Sequence, residues 1–270
     1  MSVAAEVGSF SDRLPYVRIG AGAAPLVVLP GLALTESVPR GLTLAAYAHG
    51  FRRLAERHTL YVVPRPRGLP GGASTADLAA EYAAVLRPEL GRFALVGMST
   101  GGLIAQHLAM TEPAVDGLAL VVAGAYLGQA GRDRCERWLR LAGQQRWRTL
   151  HADLATSAVD GRAARGLART LFTLTGRTPT DEEAADFGTT VRAVLAHDTR
   201  RALGALHVPT LVVGGARDPF FPEAVLRATA DAIPHSRLHV FPHNGHGVPK
   251  HRSGALQEVV AAAFLAEAGA

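Results

Sequence analysis

Short apolar runs bounded by glycine or proline recur along the chain, and their pattern predicts the fold. Each run is about as long as a strand, is rich in Val and Leu, and does not alternate with polar residues. Continuous runs of this kind are typical of strands that helices cover on both faces. The six runs are residues 24–31, 60–64, 93–99, 117–125, 209–215 and 237–242.

Segments with the spacing of amphipathic helices lie between these runs, notably at residues 44–58, 75–90 and 100–113. Alternating strands and helices favour the α/β class, with a mostly parallel doubly wound sheet and helices on both of its faces. Ligands of such sheets bind at the carboxyl ends of the strands. The loops that follow the six runs are therefore the expected place of a functional site.

Residues 126–205 break this alternation, because they contain helical segments and no convincing strand. The segment carries 13 Arg against 9 Asp and Glu, so it holds most of the surplus positive charge. Thr180 followed by Glu183 has the spacing of a helix N-terminus, and a helix is expected to begin after Thr180. We predict that residues 1–125 and 206–270 form the core domain and that residues 126–205 form a helical cap over the strand ends.

The composition indicates a globular protein and argues against several other classes. Of the 270 residues, 48% are hydrophobic and 19% are charged, so the chain can bury a large core. The formal net charge is +5, but the arginines are interleaved with acids in no basic tract, which argues against a nucleic-acid partner. No run approaches the ~18 apolar residues of a membrane span, and a single cysteine, Cys135, fits a reducing compartment. We expect a cytoplasmic monomer or homodimer with no membrane partner.

The segment from Gly97 to Gly101 matches the G-x-S-x-G pattern of a serine nucleophile, with a predicted strand before it and a predicted helix after it. A serine at such a corner has a strained backbone, and its hydroxyl projects above the sheet. At this corner, the residue two before the serine and the residue two after it approach each other closely. Only very small residues such as Gly97 and Gly101 fit at these two positions. Ser99 is therefore predicted to be a nucleophile, and a tight turn with a capping serine is the alternative.

A serine hydroxyl is a weak nucleophile, so it needs a base and a group that orients the base. In this architecture an acid and a histidine follow the serine, each just after a later strand. Asp218 follows the next-to-last apolar run and His246 follows the last one. The alternatives are Asp198 and Glu223 for the acid, and His243 for the base. Asp218 and His246 are favoured because both lie in loops directly after a strand, and glycines flank His246.

Two backbone N–H groups are expected to hold the negative oxygen that forms during attack on a carbonyl. The N–H of Thr100 lies at the start of the helix after Ser99. The N–H of Leu32 lies in the loop after the first predicted strand, residues 29–37, which we call the oxyanion loop. Gly31 lets the chain turn tightly there.

Cofactor sites find little support in the sequence. The glycines at residues 20–25 lack the third glycine of a dinucleotide fingerprint and precede a strand. A metal site built on His243, His246 and His251 lacks a carboxylate at ligand spacing. We expect no metal and no organic cofactor.

Taken together, these segments resemble the α/β-hydrolase-fold superfamily, of the compact, cap-bearing serine esterase type. The resemblance spans nearly the whole chain and includes LVVLPGLALTES, LVGMSTGGLIAQHLA, TLVVGGARDPFFP and FPHNGHGVP. It implies a catalytic triad of Ser99, Asp218 and His246. It also implies that Leu32 and Thr100 supply the oxyanion donors.

Three features depart from the family pattern. Pro30 stands where a histidine usually precedes the glycine of the oxyanion loop, and Arg65 or Pro66 stands where an aspartate usually follows the next strand. Residues 126–205 match no cap of known type.

The resemblance implies a serine hydrolase that cleaves esters of a small-molecule substrate through an acyl-enzyme. The fold also hosts thioester, lactone and C–C bond hydrolysis, lyase chemistry and non-catalytic ligand binding, which the triad alone does not separate.

Overall fold

The computed structural model describes residues 4–36, 38–39 and 41–265. Residues 1–3 and 266–270 of the predicted core domain, and Ser37 at the end of the oxyanion loop, lie outside the described residues. The strands are β1 (Ala5–Phe10), β2 (Leu14–Ile19), β3 (Ala24–Leu29), β4 (His58–Val62), β5 (Phe93–Met98), β6 (Val115–Val121), β7 (Thr210–Gly215) and β8 (Ser236–Phe241). The helices are α1 (Gly41–Gly50), α2 (Arg52–Ala55), α3 (Thr75–Leu90), α4 (Thr100–Thr111), α5 (Gln129–Gly143), α6 (Trp147–Ser157), α7 (Arg162–Thr175), α8 (Asp181–Ala196), α9 (Glu223–Asp231), α10 (Val248–His251) and α11 (Ser253–Leu265).

All eight strands form one sheet in the order β1-β2-β4-β3-β5-β6-β7-β8. Strands β3 to β8 pair in parallel, whereas β1 and β2 are antiparallel to their neighbours. The six predicted strands correspond to β3 to β8, so the prediction of a mostly parallel α/β sheet is confirmed. The hairpin of β1 and β2 was not predicted from the apolar pattern.

Alternate residues of the central strands supply two hydrophobic layers, one on each face of the sheet. In β3, Val27 and Leu29 pack into the layer that contains the buried residues of α3, α4 and α9. Leu26 and Val28 point the other way, into the layer shared with α2 and α11. The sheet is therefore covered on both faces, which explains why its strands read as continuous apolar runs.

One predicted helix is wrong in its extent. Residues 44–58 have helical spacing, but α1 ends at Gly50 and a separate short helix, α2, covers only Arg52–Ala55. The carboxyl end of the predicted helix, His58, is the first residue of β4 and pairs with Ala24 of β3. Pairing within the sheet outweighs local helix propensity there.

Helices α5 to α8 follow one another between β6 and β7. A single antiparallel bridge between Tyr126 and Asp198 joins the two ends of this helical segment. The predicted N-cap is confirmed, since Thr180 accepts a hydrogen bond from Glu183 N and the Glu183 carboxylate accepts one from Thr180 N. None of the helices in the described ranges has the length and apolar character needed to cross a membrane.

His197, at the carboxyl end of α8, makes the stability of the fold dependent on pH. Its side chain is buried; Nδ1 is 2.9 Å from the Thr75 hydroxyl, and Nε2 has no partner among the described residues. Burial, together with the neighbouring His107, lowers the pKa of His197 to about 3. The unfolded chain binds this proton below about pH 6.5, whereas the folded chain resists it down to about pH 3. The folded state therefore loses stability as the pH falls through this window.

We expect the free energy of unfolding to fall between pH 7.5 and pH 5, with about 2 kcal/mol of the fall due to His197. Urea denaturation of the native protein and of His197→Asn at the two pH values measures this share. Asparagine keeps a polar group near Thr75 but does not titrate. The free energy of unfolding of His197→Asn should therefore fall by about 2 kcal/mol less than that of the native protein. An equal fall in both proteins would contradict the assignment.

Candidate active site

Ser99 lies at the corner between β5 and α4, in a backbone conformation that serines rarely adopt. Its φ is +51° and its ψ is −118°, and a non-glycine residue in this region stores ~1–3 kcal/mol of strain. Hydrogen bonds on both sides hold it there: Ser99 N donates to Val121 O at 2.9 Å, and Ser99 O accepts from Gly102 N at 2.8 Å. The corner therefore holds the hydroxyl at the carboxyl edge of the sheet.

The glycines around Ser99 are sites of close backbone approach. A Cβ on Gly97 would lie 2.5 Å from the Cα of Gly102, and one on Gly101 would lie 2.1 Å from the carbonyl oxygen of Leu29. A Cβ on Gly102 would lie 2.4 Å from that of Ala123. These distances are far below van der Waals contact, so α4 can pack this tightly against the sheet only without side chains at these positions.

Asp218 lies in the loop after β7, and its side chain is completely buried. Its Oδ1 accepts hydrogen bonds from two backbone groups, Phe220 N at 2.8 Å and Phe221 N at 3.2 Å. Its Oδ2 lies 2.7 Å from Nδ1 of His246. The two backbone donors fix the orientation of the carboxylate and leave Oδ2 for the imidazole.

His246 lies in the loop after β8 and connects Asp218 with Ser99. Its Nε2 is 2.9 Å from Ser99 Oγ, opposite the nitrogen that faces Asp218. The rings of Phe220 and Phe221 lie 4.6 Å and 6.2 Å from the imidazole and shield it, so the side chain is only 9% exposed. The structure thus brings together the three side chains that the sequence singled out.

The alternative residues lie elsewhere. Asp198 is exposed and pairs with Arg200, whose hydrogen bonds lower the pKa of this carboxyl to about 2. Glu223 pairs with Arg227 along the surface of α9. His243 is exposed on the loop that leads to His246. None of these three is hydrogen-bonded to Ser99, Asp218 or His246 in the described part of the chain.

Two backbone N–H groups beside Ser99 are free to bind an anion. Leu32 and Thr100 line the same cavity as Ser99. Within the described ranges, neither N–H donates a hydrogen bond to a group of the protein. Gly31 brings the loop close, since a Cβ there would lie 3.3 Å from the Cβ of Ser99. The cavity that contains the serine hydroxyl is therefore lined by two residues whose N–H groups are uncommitted.

Two further residues contact the site, and neither was assigned a role from the sequence. In the sequence, Arg65 is only a departure from the family pattern. In the structure, its Nη1 donates to the carbonyl oxygen of Gly31 at 3.1 Å, and its guanidinium pairs with Glu36. Asp160, between α6 and α7, accepts a hydrogen bond from Gly245 N at 3.2 Å, next to His246. Both contacts join segments distant in sequence, so no local pattern could have revealed them.

A cavity of about 540 Å³ opens above Ser99, a size typical of small-molecule sites. The oxyanion loop and α4 form its floor, and residues of the helical segment form much of its wall. No Arg, Lys, Asp or Glu is among its described lining residues, whose side chains are mainly apolar. The wall contributed by the helical segment includes Trp138, His151, Leu154, Ala155, Ala158 and Phe172. In the described part of the chain, no cluster of three or more His, Cys, Asp or Glu side chains is suited to a metal ion.

Comparison with known proteins gives the family. A model of the alpha/beta hydrolase family matches residues 26–262, nearly the full length of the chain. The chain belongs to the alpha/beta hydrolase family. This alpha/beta hydrolase is 33% identical over 265 positions to the pimeloyl-[acyl-carrier protein] methyl ester esterase of Xanthomonas oryzae pv. oryzae. That alignment covers 90% of this chain and 97% of the relative.

Solved structures share the fold over almost the entire chain. The enol-lactonase from Burkholderia xenovorans LB400 superposes with a TM-score of 0.78 at 19% identity, covering 96% of this chain and 100% of that one. An esterase from Exiguobacterium antarcticum superposes with a TM-score of 0.71 at 19% identity, covering 96% and 98%. Similarity at these identities concerns the fold alone, whereas the match to the family model confirms the superfamily that the sequence motifs indicated.

Proposed function

We propose that the protein is a serine esterase that hydrolyses carboxylic esters through an acyl-enzyme on Ser99. The observation that carries the proposal is the continuous chain of contacts from Asp218 through His246 to Ser99, with distances of 2.7 Å and 2.9 Å. A carboxylate, an imidazole and a hydroxyl in this order are the parts that nucleophilic catalysis by serine requires.

In the proposed mechanism, His246 Nε2 takes the proton of Ser99 Oγ as this oxygen attacks the ester carbonyl. His246 then returns the proton to the leaving alcohol, and the acyl group stays on Ser99. A water molecule then attacks the acyl-enzyme while the same imidazole takes its proton. The bond between the acyl group and Ser99 Oγ breaks, the carboxylic acid is released, and His246 returns the proton to Ser99 Oγ. Asp218 keeps the Nδ1 proton of His246 in place and stabilises the imidazolium that forms in both steps.

The N–H groups of Leu32 and Thr100 bind the carbonyl oxygen as it becomes negative. Each such donor contributes roughly 3 kcal/mol of transition-state stabilisation in enzymes of this type. Since neither N–H has another acceptor in the described residues, both are available without rearrangement. The chemistry therefore needs no cofactor beyond the groups of the chain.

Residues 126–205 act as a cap that selects the acyl group. This proposal rests on the cavity, whose wall is largely apolar and, in its described part, free of charged Arg, Lys, Asp or Glu side chains. An uncharged acyl chain of medium length can bury its methylenes there, whereas a free carboxylate would lose hydration without a partner. The described Arg side chains of the cap lie outside this lining, so they do not select for an acyl group that ends in a charge.

Filling the cap side of the cavity should shorten the preferred acyl chain. Ala155→Phe on α6 is expected to lower kcat/KM for p-nitrophenyl octanoate by about 10-fold or more, since a methylene-sized change in an apolar pocket has effects of this order. The acetate ester should change by less than about 3-fold. Ala164→Phe serves as the matched control, since Ala164 on α7 is exposed and does not line the cavity. Equal losses on both esters in Ala155→Phe would contradict the assignment.

The curated relatives favour one specific ester as a second candidate. Their name describes an esterase for the methyl ester of a pimeloyl group on an acyl carrier protein, and such a chain carries no free carboxylate. An apolar cavity suits that chain, and methanol is a small leaving group. Turnover of this carrier-bound methyl ester at a kcat/KM well above that for free methyl octanoate would support it.

A panel of substrates tests the proposed reaction against the other chemistries of the fold. It contains p-nitrophenyl esters from acetate to palmitate, acyl thioesters of the same chains and small lactones. We expect the oxygen esters of medium chain length to be hydrolysed fastest. Faster turnover of lactones or thioesters would shift the assignment to those reactions, and no turnover on any substrate would favour C–C bond chemistry, a lyase or a non-catalytic binding protein.

A further inference from the structure

Arg65, in the loop after β4, is a buried cation that contacts both ends of the oxyanion loop. Its side chain is 3% exposed. Nη1 donates to the carbonyl oxygen of Gly31 at 3.1 Å, and Nη2 pairs with the carboxylate of Glu36, which is itself mostly buried. One guanidinium thus spans residues 31 to 36, the segment that carries Leu32.

The contact with Gly31 matters because of the planarity of the peptide bond. The carbonyl of Gly31 and the N–H of Leu32 belong to the same trans peptide unit, so they point in opposite directions. A donor that holds the carbonyl on one side therefore fixes the direction of the N–H on the other side. Leu32 lines the cavity that contains Ser99, and its N–H has no acceptor among the described residues.

A charged donor also changes the strength of this N–H. Hydrogen bonding to a carbonyl polarises the whole peptide unit and makes its N–H a better donor, and the effect is larger in a site of low dielectric constant. Burial lowers the pKa of Arg65 to about 10, so the guanidinium remains charged at neutral pH. Glu36 balances this charge, without which an isolated buried cation would destabilise the fold.

We propose that Arg65 is a positioning residue for ester hydrolysis, which orients and polarises the Leu32 N–H through the Gly31 carbonyl. The inference rests on the proposed function, because it needs an oxyanion at this place. It also explains two departures from the family pattern together. Pro30 offers no side-chain hydrogen bond to the loop, and Arg65 supplies from the neighbouring loop the contact that holds it.

The test compares variants that keep or remove the contact with Gly31. Arg65→Met combined with Glu36→Leu removes the pair without leaving an unpaired buried charge. We expect it to lower kcat for p-nitrophenyl butyrate by ~10²-fold, the effect of losing one oxyanion donor, with KM within about 3-fold of the native value. Arg65→Lys, which retains the charge and a donor, should recover about 10-fold of that loss.

A second readout separates positioning from a merely structural role. The inhibition constant of an alkylboronic acid, which forms a tetrahedral adduct on the serine, should rise in parallel with the fall in kcat across the variants. Rates are normalised to the concentration of active sites, titrated with a fluorophosphonate to completion. Arg67→Gln is the matched control, since Arg67 is exposed on the same loop and contacts the backbone of Glu36 but not Gly31. Its kcat should stay within about 3-fold of the native value.

The outcomes are distinguishable from failure of the esterase proposal. If Ser99→Ala is inactive while the double variant and Arg65→Lys both keep native kcat per active site, the role of Arg65 is overturned and the esterase proposal stands. Equal changes in KM and kcat with an unchanged boronate affinity would also overturn it. If the double variant does not fold, Arg65→Lys alone serves as the test. We expect its kcat to be about 10-fold below the native value. A native kcat in Arg65→Lys would contradict the proposal.

Discussion

Replacing Ser99 by alanine is expected to lower kcat for ester hydrolysis by at least ~10⁴-fold. The variant has no oxygen 2.9 Å from His246 Nε2, so no acyl-enzyme can form, and only the oxyanion donors and substrate binding remain to accelerate attack by water. Alanine removes only the hydroxyl oxygen and adds no volume at this corner, so the fold should be retained. Steady-state rates with p-nitrophenyl butyrate, together with a thermal melt of each protein, measure the effect.

Ser157 provides a matched control for this substitution. It also lines the cavity, but its hydroxyl donates to the Leu154 carbonyl at 2.6 Å and does not contact His246. Ser157→Ala should keep kcat within about 3-fold of the native value, since it removes no group of the proposed reaction. Residual activity of Ser99→Ala close to that of Ser157→Ala would show that another group attacks the ester.

Asp218→Asn is expected to lower kcat by ~10⁴-fold although it changes a single atom. Phe220 N and Phe221 N both donate to Oδ1, so the amide oxygen of an asparagine must occupy that position. Its NH₂ group then faces His246 Nδ1 and needs an acceptor there. The imidazole consequently holds its proton on Nε2, toward Ser99, and can no longer take the serine proton.

Asp198→Asn is the matched control, because Asp198 was the alternative acid in the sequence and pairs with Arg200 on the surface. Its kcat should be close to native. We expect Asp218→Asn to keep KM and the thermal midpoint nearly unchanged, since the two backbone hydrogen bonds persist. A large loss in Asp198→Asn, or near-native kcat in Asp218→Asn, would contradict the proposed role of the carboxylate.

Much of the fold could be predicted because the central strands are covered on both faces. Each such strand reads as an uninterrupted apolar run, and the loops that follow parallel strands meet at one edge of the sheet. The positions of Ser99, Asp218 and His246 after β5, β7 and β8 follow from this arrangement. Their convergence was therefore foreseeable from the sequence, and the structure brings the three side chains within hydrogen-bond distance.

The features that were missed depend on one-sided burial or on distant contacts. Strand β1 lies at the edge of the sheet and has several exposed positions, and β2 contains Pro15, so neither gives an apolar run. The contact between Arg65 and Gly31 joins two loops 34 residues apart. In the sequence, Arg65 is only an unexpected residue; its role depends on the direction of a carbonyl that folding alone determines.

The proposed reaction depends on acylation of Ser99, and covalent labelling measures directly whether this hydroxyl is the nucleophile. The native protein is incubated with a fluorophosphonate, and its intact mass and its tryptic peptides are then measured. We expect one adduct per chain, located on Ser99, with loss of esterase activity in proportion to labelling and no adduct on Ser99→Ala. A folded protein that stays unlabelled, or that is labelled at another residue while its activity disappears, would contradict the proposed role of Ser99.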